Sequence, residues 1–370
     1  MSKADRVAAH LQSRIHHGDY ELRGLPPERE LAEQFEVSRM TARKALLQLV
    51  ERGLLRRGAN GRLHVVGQTR EQPRIAFLTP SITSASVEHW RLMIGAVAEE
   101  RALPVRLLMY RHWQDATLPE TLEAFDAVFF YAAAEPMPDR IAERLRTRDS
   151  RIVALERDFS GLGLPSLPLL PLTAPQRLLD EFHALGHRRI DCFNVQPTDP
   201  IIDGRIEQWN VWRAAKSLPG KLHGDPRSGS TLPIERARQQ MGEMLDTGVA
   251  LGTALLCITV PAAIGAARAL ADRGLRPGED LSIAAVNDEG LGRYLVPSIT
   301  SLLPPEPIDQ LRVCLDWFTA SDAVWPGPLC MTPPTPELFP GETVKPPRSE
   351  SRGAPSPVPL TASEPRHDHP

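Results

Sequence analysis

The chain has 370 residues, 42% of them hydrophobic, and a formal net charge of −3, so it is long enough for two or more globular domains. Residues 1–66 contain 12 Lys and Arg against 8 Asp and Glu, whereas the remainder contains 31 against 38. A cationic beginning followed by an acidic body predicts nucleic-acid binding that is confined to the first segment.

Helical periodicity dominates the first 55 residues. The apolar positions of a first helix recur every four residues, at Val7, Leu11 and Ile15. Pro27 suits the start of a second helix, and Ser38 is a natural N-cap for a third one after the turn at 36–38. The third helix has an apolar stripe at i, i+3, i+4 and i+7, formed by Ala42, Ala45, Leu46 and Leu49. One such stripe predicts a helix that is buried on a single side.

A different face of the third helix is basic, because Arg39 and Arg43 lie one turn apart. A helix with a basic face near its N-terminus fits the DNA major groove, which is about 12 Å wide. Asn60-Gly61 follows, between two strand-like runs, and this pair is a strong signal for a β-hairpin. Three arginines flank that hairpin. The pattern therefore predicts a winged helix-turn-helix over residues 1–66; the alternative is an amphipathic helical hairpin with solvated charges.

The segments LPPERELAEQ, VSRMTARKAL and ERGLLRR resemble the winged-helix domain of GntR-type bacterial transcription regulators. The resemblance implies binding to a double-stranded DNA operator. We expect Arg39 and Arg43 to contact bases, since guanidinium groups pair bidentately with guanine, and we expect the wing arginines to hold the backbone or reach the minor groove. The predicted DNA-binding residues are Ser38, Arg39, Thr41, Arg43, Lys44, Arg56, Arg57 and Arg62.

Residues 67–73 are short and polar, which predicts a linker. Beyond them, apolar strand-like runs alternate with helical segments up to about residue 346. This alternation predicts parallel sheets covered by helices on both faces, and about 270 residues are enough for two lobes. The strand-like runs lie at 75–78, 105–109, 127–131, 152–155, 190–195, 254–259 and 281–286.

Later segments carry a second resemblance: LGHRRI at 185–190, ALADRGLRPGEDLSI at 269–283 and PSITS at 297–301. They resemble the effector domain of LacI/GalR-type repressors, which is similar to type I periplasmic sugar-binding proteins. For residues 74–346 the resemblance implies an α/β effector domain of two Rossmann-like lobes with a ligand cleft at the carboxyl ends of the strands. It also implies a homodimer, and three crossings between the lobes near 165–173, 295–303 and 325–330.

The resemblance assigns ligand contacts to five residues. The family typically places an arginine, and an aromatic residue four positions later, on the helix after the first strand of the second lobe; Arg205 and Trp209 match. An arginine there can hydrogen-bond to sugar hydroxyls, and an indole can cover an apolar sugar face. Asp288 matches another ligand-contacting carboxylate, and Asp158 and Trp90 are further candidates.

One departure bears on function, because Val260 stands where the family usually has the aspartate of an Asn-Asp pair. This loss keeps open an alternative in which the protein binds DNA but senses no effector. A second alternative is a fusion to a pyridoxal-dependent enzyme, which needs a Schiff-base lysine in a pocket. None of the lysines beyond the head follows a strand; they are Lys216, Lys221 and Lys345.

The end of the chain, residues 347–370, is rich in proline, serine and charge, which predicts a disordered tail. We expect no metal site at its His367 and His369. The four cysteines form no Cys-x-x-Cys pair, so reduced thiols are expected and a zinc site is not. The N-terminus lacks an apolar leader, and no run of about 18 apolar residues occurs. We therefore expect a cytoplasmic protein without a membrane partner.

Together these patterns favour a transcription repressor that is not an enzyme and needs no cofactor. It would act as a homodimer on a DNA operator, under the control of a sugar-like effector in the interlobe cleft.

Overall fold

The computed structural model describes most of the chain. The described residues are 2–16, 20, 25–57, 63–65, 72–82, 84–147, 150–226, 231–320 and 324–348. The hairpin turn Asn60-Gly61, Arg62, residues 67–71 of the predicted linker and the tail from 349 onward lie outside them. No helix within the described residues combines the length and apolar character needed to cross a membrane.

Three helices and a two-stranded wing form the head. They are α1 (Lys3–His16), α2 (Glu28–Gln34), α3 (Arg39–Glu51), β1 (Leu55–Arg57) and β2 (Leu63–Val65). The two strands pair antiparallel, with Leu55 opposite Val65. The predicted apolar stripes of α1 and α3 are buried and meet in one core, whose described members all belong to the head. The head therefore has a hydrophobic core of its own.

The first lobe is a five-stranded parallel sheet in the order β4-β3-β5-β6-β7. Its elements in chain order are β3 (Ile75–Pro80), α4 (Ala85–Glu100), β4 (Val105–Tyr110), α5 (Thr117–Ala124), β5 (Ala127–Tyr131), α6 (Asp139–Arg146), β6 (Arg151–Leu155) and β7 (Ser166–Leu167). Phe129 packs toward α4, and its neighbour Phe130 packs toward α5 and α6. Because both faces of the sheet are covered, the central strands are apolar at successive positions.

The second lobe has a six-stranded sheet in the order β13-β12-β11-β10-β8-β9, in which only β13 is antiparallel to its neighbour. Its elements in chain order are α7 (Ala174–Ala184), β8 (Ile190–Phe193), α8 (Pro200–Ala215), β9 (Leu222–His223), α9 (Pro233–Asp246), β10 (Ala254–Cys257), α10 (Val260–Ala271), β11 (Ser282–Ala285), β12 (Thr300–Leu303) and β13 (Glu337–Phe339). Two Rossmann-like lobes behind a winged helix-turn-helix are the predicted fold class.

One further helix, α11 (Ile308–Thr319), returns to the first lobe and packs against α4. The chain thus crosses between the lobes at 168–173, 304–307 and 332–336. The first crossing lies where it was predicted. The second and third come later than predicted, because Thr300–Leu303 remain in the second sheet as β12 and Cys330 still bridges to Ser166 of the first lobe.

Candidate DNA-binding surface and interlobe site

The N-terminus of α3 is organised by a pair of hydroxyl side chains. Oγ of Ser38 accepts a hydrogen bond of 3.1 Å from the backbone N–H of Thr41, and lies 2.8 Å from Oγ1 of Thr41. Ser38 is thus the predicted N-cap. Its hydroxyl is already engaged with Thr41, so any phosphate contact at this end involves the pair together with the remaining helix N–H groups.

The predicted basic face of α3 is exposed on the side away from the core. Arg39, Arg43 and Lys44 make no hydrogen bond or ion pair with any described residue, and the same holds for Arg56 in β1. Arg57 is also exposed. Four cations without a counter-charge on one small head are available to an anionic partner.

Two other cations of the head are paired within it. Arg52 donates a 2.8 Å hydrogen bond to Oε1 of Gln12, and Arg29 lies 3.6 Å from a carboxylate oxygen of Glu33 one turn along α2. Positive charge without a described partner therefore lies on α3 and at the start of the wing, and also on α1 at Lys3 and Arg6.

Met40 was not among the predicted DNA contacts, although it lies between Arg39 and Thr41, which were. Its side chain is 73% exposed, although the neighbouring apolar side chains of α3 are buried. An apolar side chain in this position can contact the methyl group of thymine. The sequence feature that could have indicated this contact is an apolar residue of α3 that lies outside the buried stripe.

The carboxyl ends of the strands in both lobes carry a second group of charged residues. Glu156 follows β6 and Tyr131 ends β5 in the first lobe. In the second lobe, Asp199 precedes α8, Arg205 lies within α8 and Glu289 follows β11. Arg205 is electrostatically coupled to the other four, so the two lobes place these groups around one interlobe site.

Arg205 is the one predicted ligand-binding residue that lies in this group. Its Nη1 donates a 3.1 Å hydrogen bond to the backbone carbonyl of Ile258, just beyond β10. Burial lowers the pKa of the guanidinium, and the carboxylates of Glu156, Asp199 and Glu289 oppose that effect. No described ion pair within 4 Å involves Arg205, so its charge is balanced at a distance.

Glu156 is held from the interior of its own lobe. Oε1 of Glu156 accepts a hydrogen bond of 2.9 Å from Nε1 of Trp90 and another from Oγ of Ser86. Trp90, a predicted ligand contact, is completely buried in this arrangement. Its indole instead fixes the orientation of a carboxylate that faces the other lobe.

Glu289 occupies the matching place on the second lobe. Its Oε1 accepts a 3.0 Å hydrogen bond from the side-chain amide of Asn287, whose Oδ1 accepts from the N–H of Val260 at 3.2 Å. Burial raises the pKa of Glu289, and the carboxylates of Asp288 and Glu156 add to the rise, against the Asn287 hydrogen bond and the Arg205 charge. Neither Glu156 nor Glu289 was among the predicted ligand contacts.

Asp199 and Arg157 complete the charged group. Oδ1 of Asp199 caps α8 by accepting from the N–H groups of residues 201 and 202 at 2.9 and 2.8 Å. Nη1 of Arg157 donates to the carbonyl of Ala133 at 2.7 Å, and its guanidinium lies 5.1 Å from the ring centre of Phe159. Burial lowers the pKa of Arg157, which the charge of Asp199 across the site opposes.

Trp209 does not lie at the site. It is 2% exposed and packs in the core of the second lobe, where Nε1 donates to the carbonyl of Ile190 at 3.1 Å and Arg213 stacks on the ring. Ile202, Trp209 and Trp212 form the buried face of α8. The indole that was predicted to cover an apolar sugar face is therefore buried within its own lobe in this arrangement.

The two predicted carboxylates are also directed elsewhere. Asp288 is fully buried, and its Oδ1 accepts a 2.8 Å hydrogen bond from Oγ of Ser301. Asp158 is exposed and caps the following turn, with Oδ1 accepting from the N–H of Ser160 at 2.8 Å. In each case the strand-end loop turns a neighbouring glutamate, and not the aspartate, toward the other lobe.

Val260, which stands where the resemblance implies an aspartate, is buried in the core of the second lobe and presents no polar group to the site. The adjacent Thr259 is buried with an Oγ1 that has no hydrogen-bond partner among the described residues.

The three lysines of the body are all exposed, which does not favour a Schiff-base site. Within the described ranges, no three His, Cys, Asp or Glu side chains are grouped as a metal site requires.

Comparison with known proteins also separates the head of the chain from the two lobes. Residues 3–65 match the model of the family described as bacterial regulatory proteins, gntR family. Residues 179–306 match the model of the periplasmic binding protein-like domain. A comparison with curated proteins gives no match.

Solved structures with a similar fold include three LacI-type regulators. The LacI family regulator from Bifidobacterium animalis subsp. lactis DSM 10140 has a TM-score of 0.63 at 17% identity, covering 74% of this chain and 98% of that one. The regulator CCPA from Weissella paramesenteroides, with bound glucose, has a TM-score of 0.61 at 15% identity, covering 74% and 99%. The Lac repressor dimer bound to operator and the anti-inducer ONPF has a TM-score of 0.58 at 17% identity, covering 75% and 96%.

At these identities the likeness shows the fold. The three structures are described as regulators or as a repressor. A head that matches the gntR family model, joined to a two-lobed domain with the fold of LacI-type regulators, is the GntR/LacI-like architecture of a DNA-binding transcription regulator.

Proposed function

We propose that this regulator binds an operator through α3 and the wing and that a small hydroxyl-bearing effector, a sugar or a sugar derivative, controls that binding from the interlobe site. The simplest form is a homodimeric repressor. Two heads would then address two half-sites whose centres lie about 34–36 Å, or one helical turn, apart.

The observation that carries the proposal is the arrangement around Arg205. Its guanidinium is electrostatically coupled to Glu156 of the other lobe, and no described ion pair joins the two. Charges left apart in a partly buried site can be satisfied by a ligand with hydroxyl groups, since arginine donates and carboxylate accepts. Residues from both lobes would hold such a ligand, so its binding favours one lobe arrangement over another.

The DNA-binding half of the proposal rests on the exposed face of α3. Arg39 and Arg43 are placed to contact bases, Lys44 and Arg56 to contact phosphates, and Met40 to contact an apolar base edge. Two relatives support the scheme as a whole, since one is described with bound glucose and another as a dimer on its operator.

The experiment is an operator-binding assay with and without candidate effectors. An operator is first selected from random duplexes with the purified full chain, and fluorescence anisotropy then measures affinity in the presence of sugars and their derivatives. We expect one ligand class to change operator affinity by about 5- to 150-fold, the usual range of allosteric coupling.

The variant that tests the site is Arg205→Ala, and Arg268→Ala is its matched control. Arg268 is an exposed arginine of the same lobe that pairs with Asp272 on the surface of α10. Arg205→Ala should bind the operator normally and lose the response, whereas the control should respond like the original protein. An unchanged response in Arg205→Ala would contradict the proposal, and operator binding that no ligand affects would favour the regulator without a sensor.

A further inference from the structure

The interlobe site has an excess of negative charge. Three carboxylates, Glu156, Asp199 and Glu289, surround two guanidinium groups, Arg157 and Arg205. Counted in their ionised forms, these five groups leave one uncompensated negative charge, and the carboxylate of the buried Asp288 is also coupled to Glu289. Since the groups are partly or wholly out of water, that charge is only weakly screened.

The two arginines and Asp199 already have local partners. Arg157 donates to a backbone carbonyl of its own lobe at 2.7 Å, Arg205 donates to one at 3.1 Å, and Asp199 caps α8 with one carboxylate oxygen. These bonds hold each group in place and leave Arg205 with further N–H donors, since a guanidinium has five.

Glu156 and Glu289 are different, because each uses one carboxylate oxygen and leaves the other free. Oε1 of Glu156 accepts from Trp90 and Ser86, and Oε1 of Glu289 accepts from Asn287. Neither Oε2 atom accepts a hydrogen bond from a described residue, and neither carboxylate has a described cation within 4 Å. Two oriented acceptors of like charge therefore stand on opposite lobes.

Like charges on opposite lobes resist being brought together. The two glutamates are coupled electrostatically across the site, with Arg205 as their shared counter-charge. Any approach of the lobes raises the repulsion between them unless a cation enters between them. A neutral ligand leaves this repulsion in place, and an anionic ligand increases it.

We propose that the effector carries a protonated amine on a hydroxyl-bearing scaffold, as an amino sugar does, with the ammonium group bound between Glu156 and Glu289. An ammonium has three donors, of which two meet the free Oε2 atoms, while Arg205 donates to a hydroxyl or ring oxygen of the scaffold. The inference narrows the proposed function to one ligand class and rests on it for the location of the site. It excludes sugar phosphates and sugar acids.

The test uses matched ligands that differ only in charge. Isothermal titration calorimetry on the full chain would compare D-glucosamine and D-galactosamine with D-glucose and D-galactose, and with D-glucuronate and D-galacturonate. We expect an amine to bind at least about tenfold more tightly than its neutral counterpart and the acids not to bind at about 10 mM.

Three isosteric variants locate the effect. Glu156→Gln and Glu289→Gln should each reduce the preference for the amine over the neutral sugar by about tenfold or more. Asp158→Asn is the control, because it neutralises a nearby carboxylate that is exposed and turned away from the other lobe. It should leave the preference unchanged, and operator binding by all three variants should show that they are folded.

The outcomes separate this inference from the proposed function. A neutral or acidic sugar that binds more tightly than the amines, changes operator affinity and depends on Arg205 overturns the inference and keeps the proposed function. An amine that binds between the glutamates without changing operator affinity keeps the inference and contradicts the proposed control. Failure of every amine to bind at about 10 mM overturns the inference.

Discussion

Nε1 of Trp90 lies 2.9 Å from Oε1 of Glu156 and donates a hydrogen bond to it. A side chain in the core of the first lobe thereby determines the direction of a carboxylate at the interface between the lobes. Buried donors of this kind limit the rotamers that the acceptor can adopt, which is how a site is organised before its ligand arrives.

The first prediction concerns this hydrogen bond. Trp90→Phe removes the donor and keeps most of the aromatic packing, so Glu156 should lose part of its orientation. We expect affinity for the effector to fall by about 5- to 10-fold, from the loss of about 1 kcal/mol, with operator affinity unchanged. Trp325→Phe is the control, because its Nε1 donates to the carbonyl of Pro328 away from the site; an equal loss in both variants would contradict a specific role for Trp90.

The second prediction concerns the exposed face of α3. Arg43 has no partner among the described residues, whereas Arg52 is bonded to Gln12. Arg43→Ala should weaken binding to the selected operator by about 1–3 kcal/mol and relax the sequence preference at one base pair. Arg52→Ala should cost little affinity. Anisotropy with the selected duplex and with single-base variants measures both, and the same loss on every sequence would reduce Arg43 to a phosphate contact.

The third prediction concerns Met40. If its exposed side chain contacts a thymine methyl group, replacing that thymine with deoxyuridine removes about one buried methyl, worth about 0.8 kcal/mol. The full chain should therefore lose about fourfold in affinity for the uracil-containing duplex. Met40→Ala should bind the two duplexes equally. A uracil effect that persists in Met40→Ala would assign the contact to another residue.

The fourth prediction concerns acid stability of the second lobe. Burial opposes ionisation of Asp191, yet hydrogen bonds from His223 and from the N–H groups of Lys221 and Gly252, with the charge of Arg189, hold its pKa at about 2, below the ordinary 3.8. A carboxyl whose pKa is depressed by folding adds stability above its unfolded pKa, and that stability is lost as the pH falls through the folded value.

From pH 5 to pH 2 the chain should therefore lose about 2 kcal/mol that Asp191→Asn does not lose. Urea unfolding followed by circular dichroism at each pH gives the free energy of unfolding of the original chain and of Asp191→Asn. If these two free energies change equally with pH, Asp191 has the same pKa in the folded and unfolded states. Asp225→Asn, an exposed position, serves as the control for a general change in charge.

The head shows how far periodicity alone can lead. Ala42, Ala45, Leu46 and Leu49 are all buried as their spacing predicts, because a short helix with one apolar side has a single way to pack. The two lobes were predictable from the alternation of apolar runs and helices, because parallel strands covered on both faces are apolar along their length. The strands β7, β9, β12 and β13 were not predicted. Three of them, β7, β9 and β13, have only two or three residues, which is too short to show a period.

The interlobe site was less predictable. Asp158 and Asp288 were the predicted carboxylates, whereas the charged group around Arg205 contains Glu156 and Glu289, one or two residues away in each case. Both glutamates have a positive φ, 66° and 50°, which reverses the direction of the chain just after a strand. A sequence shows that a carboxylate follows a strand, but the local dihedral angles decide which carboxylate faces the site. The four-residue spacing put Trp209 on the same helix as Arg205. It did not show that the side of α8 with Trp209 faces the core of the second lobe.

The return of α11 to the first lobe affects the order in which the protein can be completed during synthesis. Phe318 of α11 lies 4.8 Å, centre to centre, from the ring of Phe129. The face of the first sheet that α4 begins to cover is therefore completed only after the ribosome has made the second lobe's parallel strands. The head has its own core by Val65, roughly 250 residues earlier. At about 5–20 residues per second this gap lasts about 10–50 s. A nascent chain thus carries a finished DNA-binding head well before it has a sensor that could restrain it.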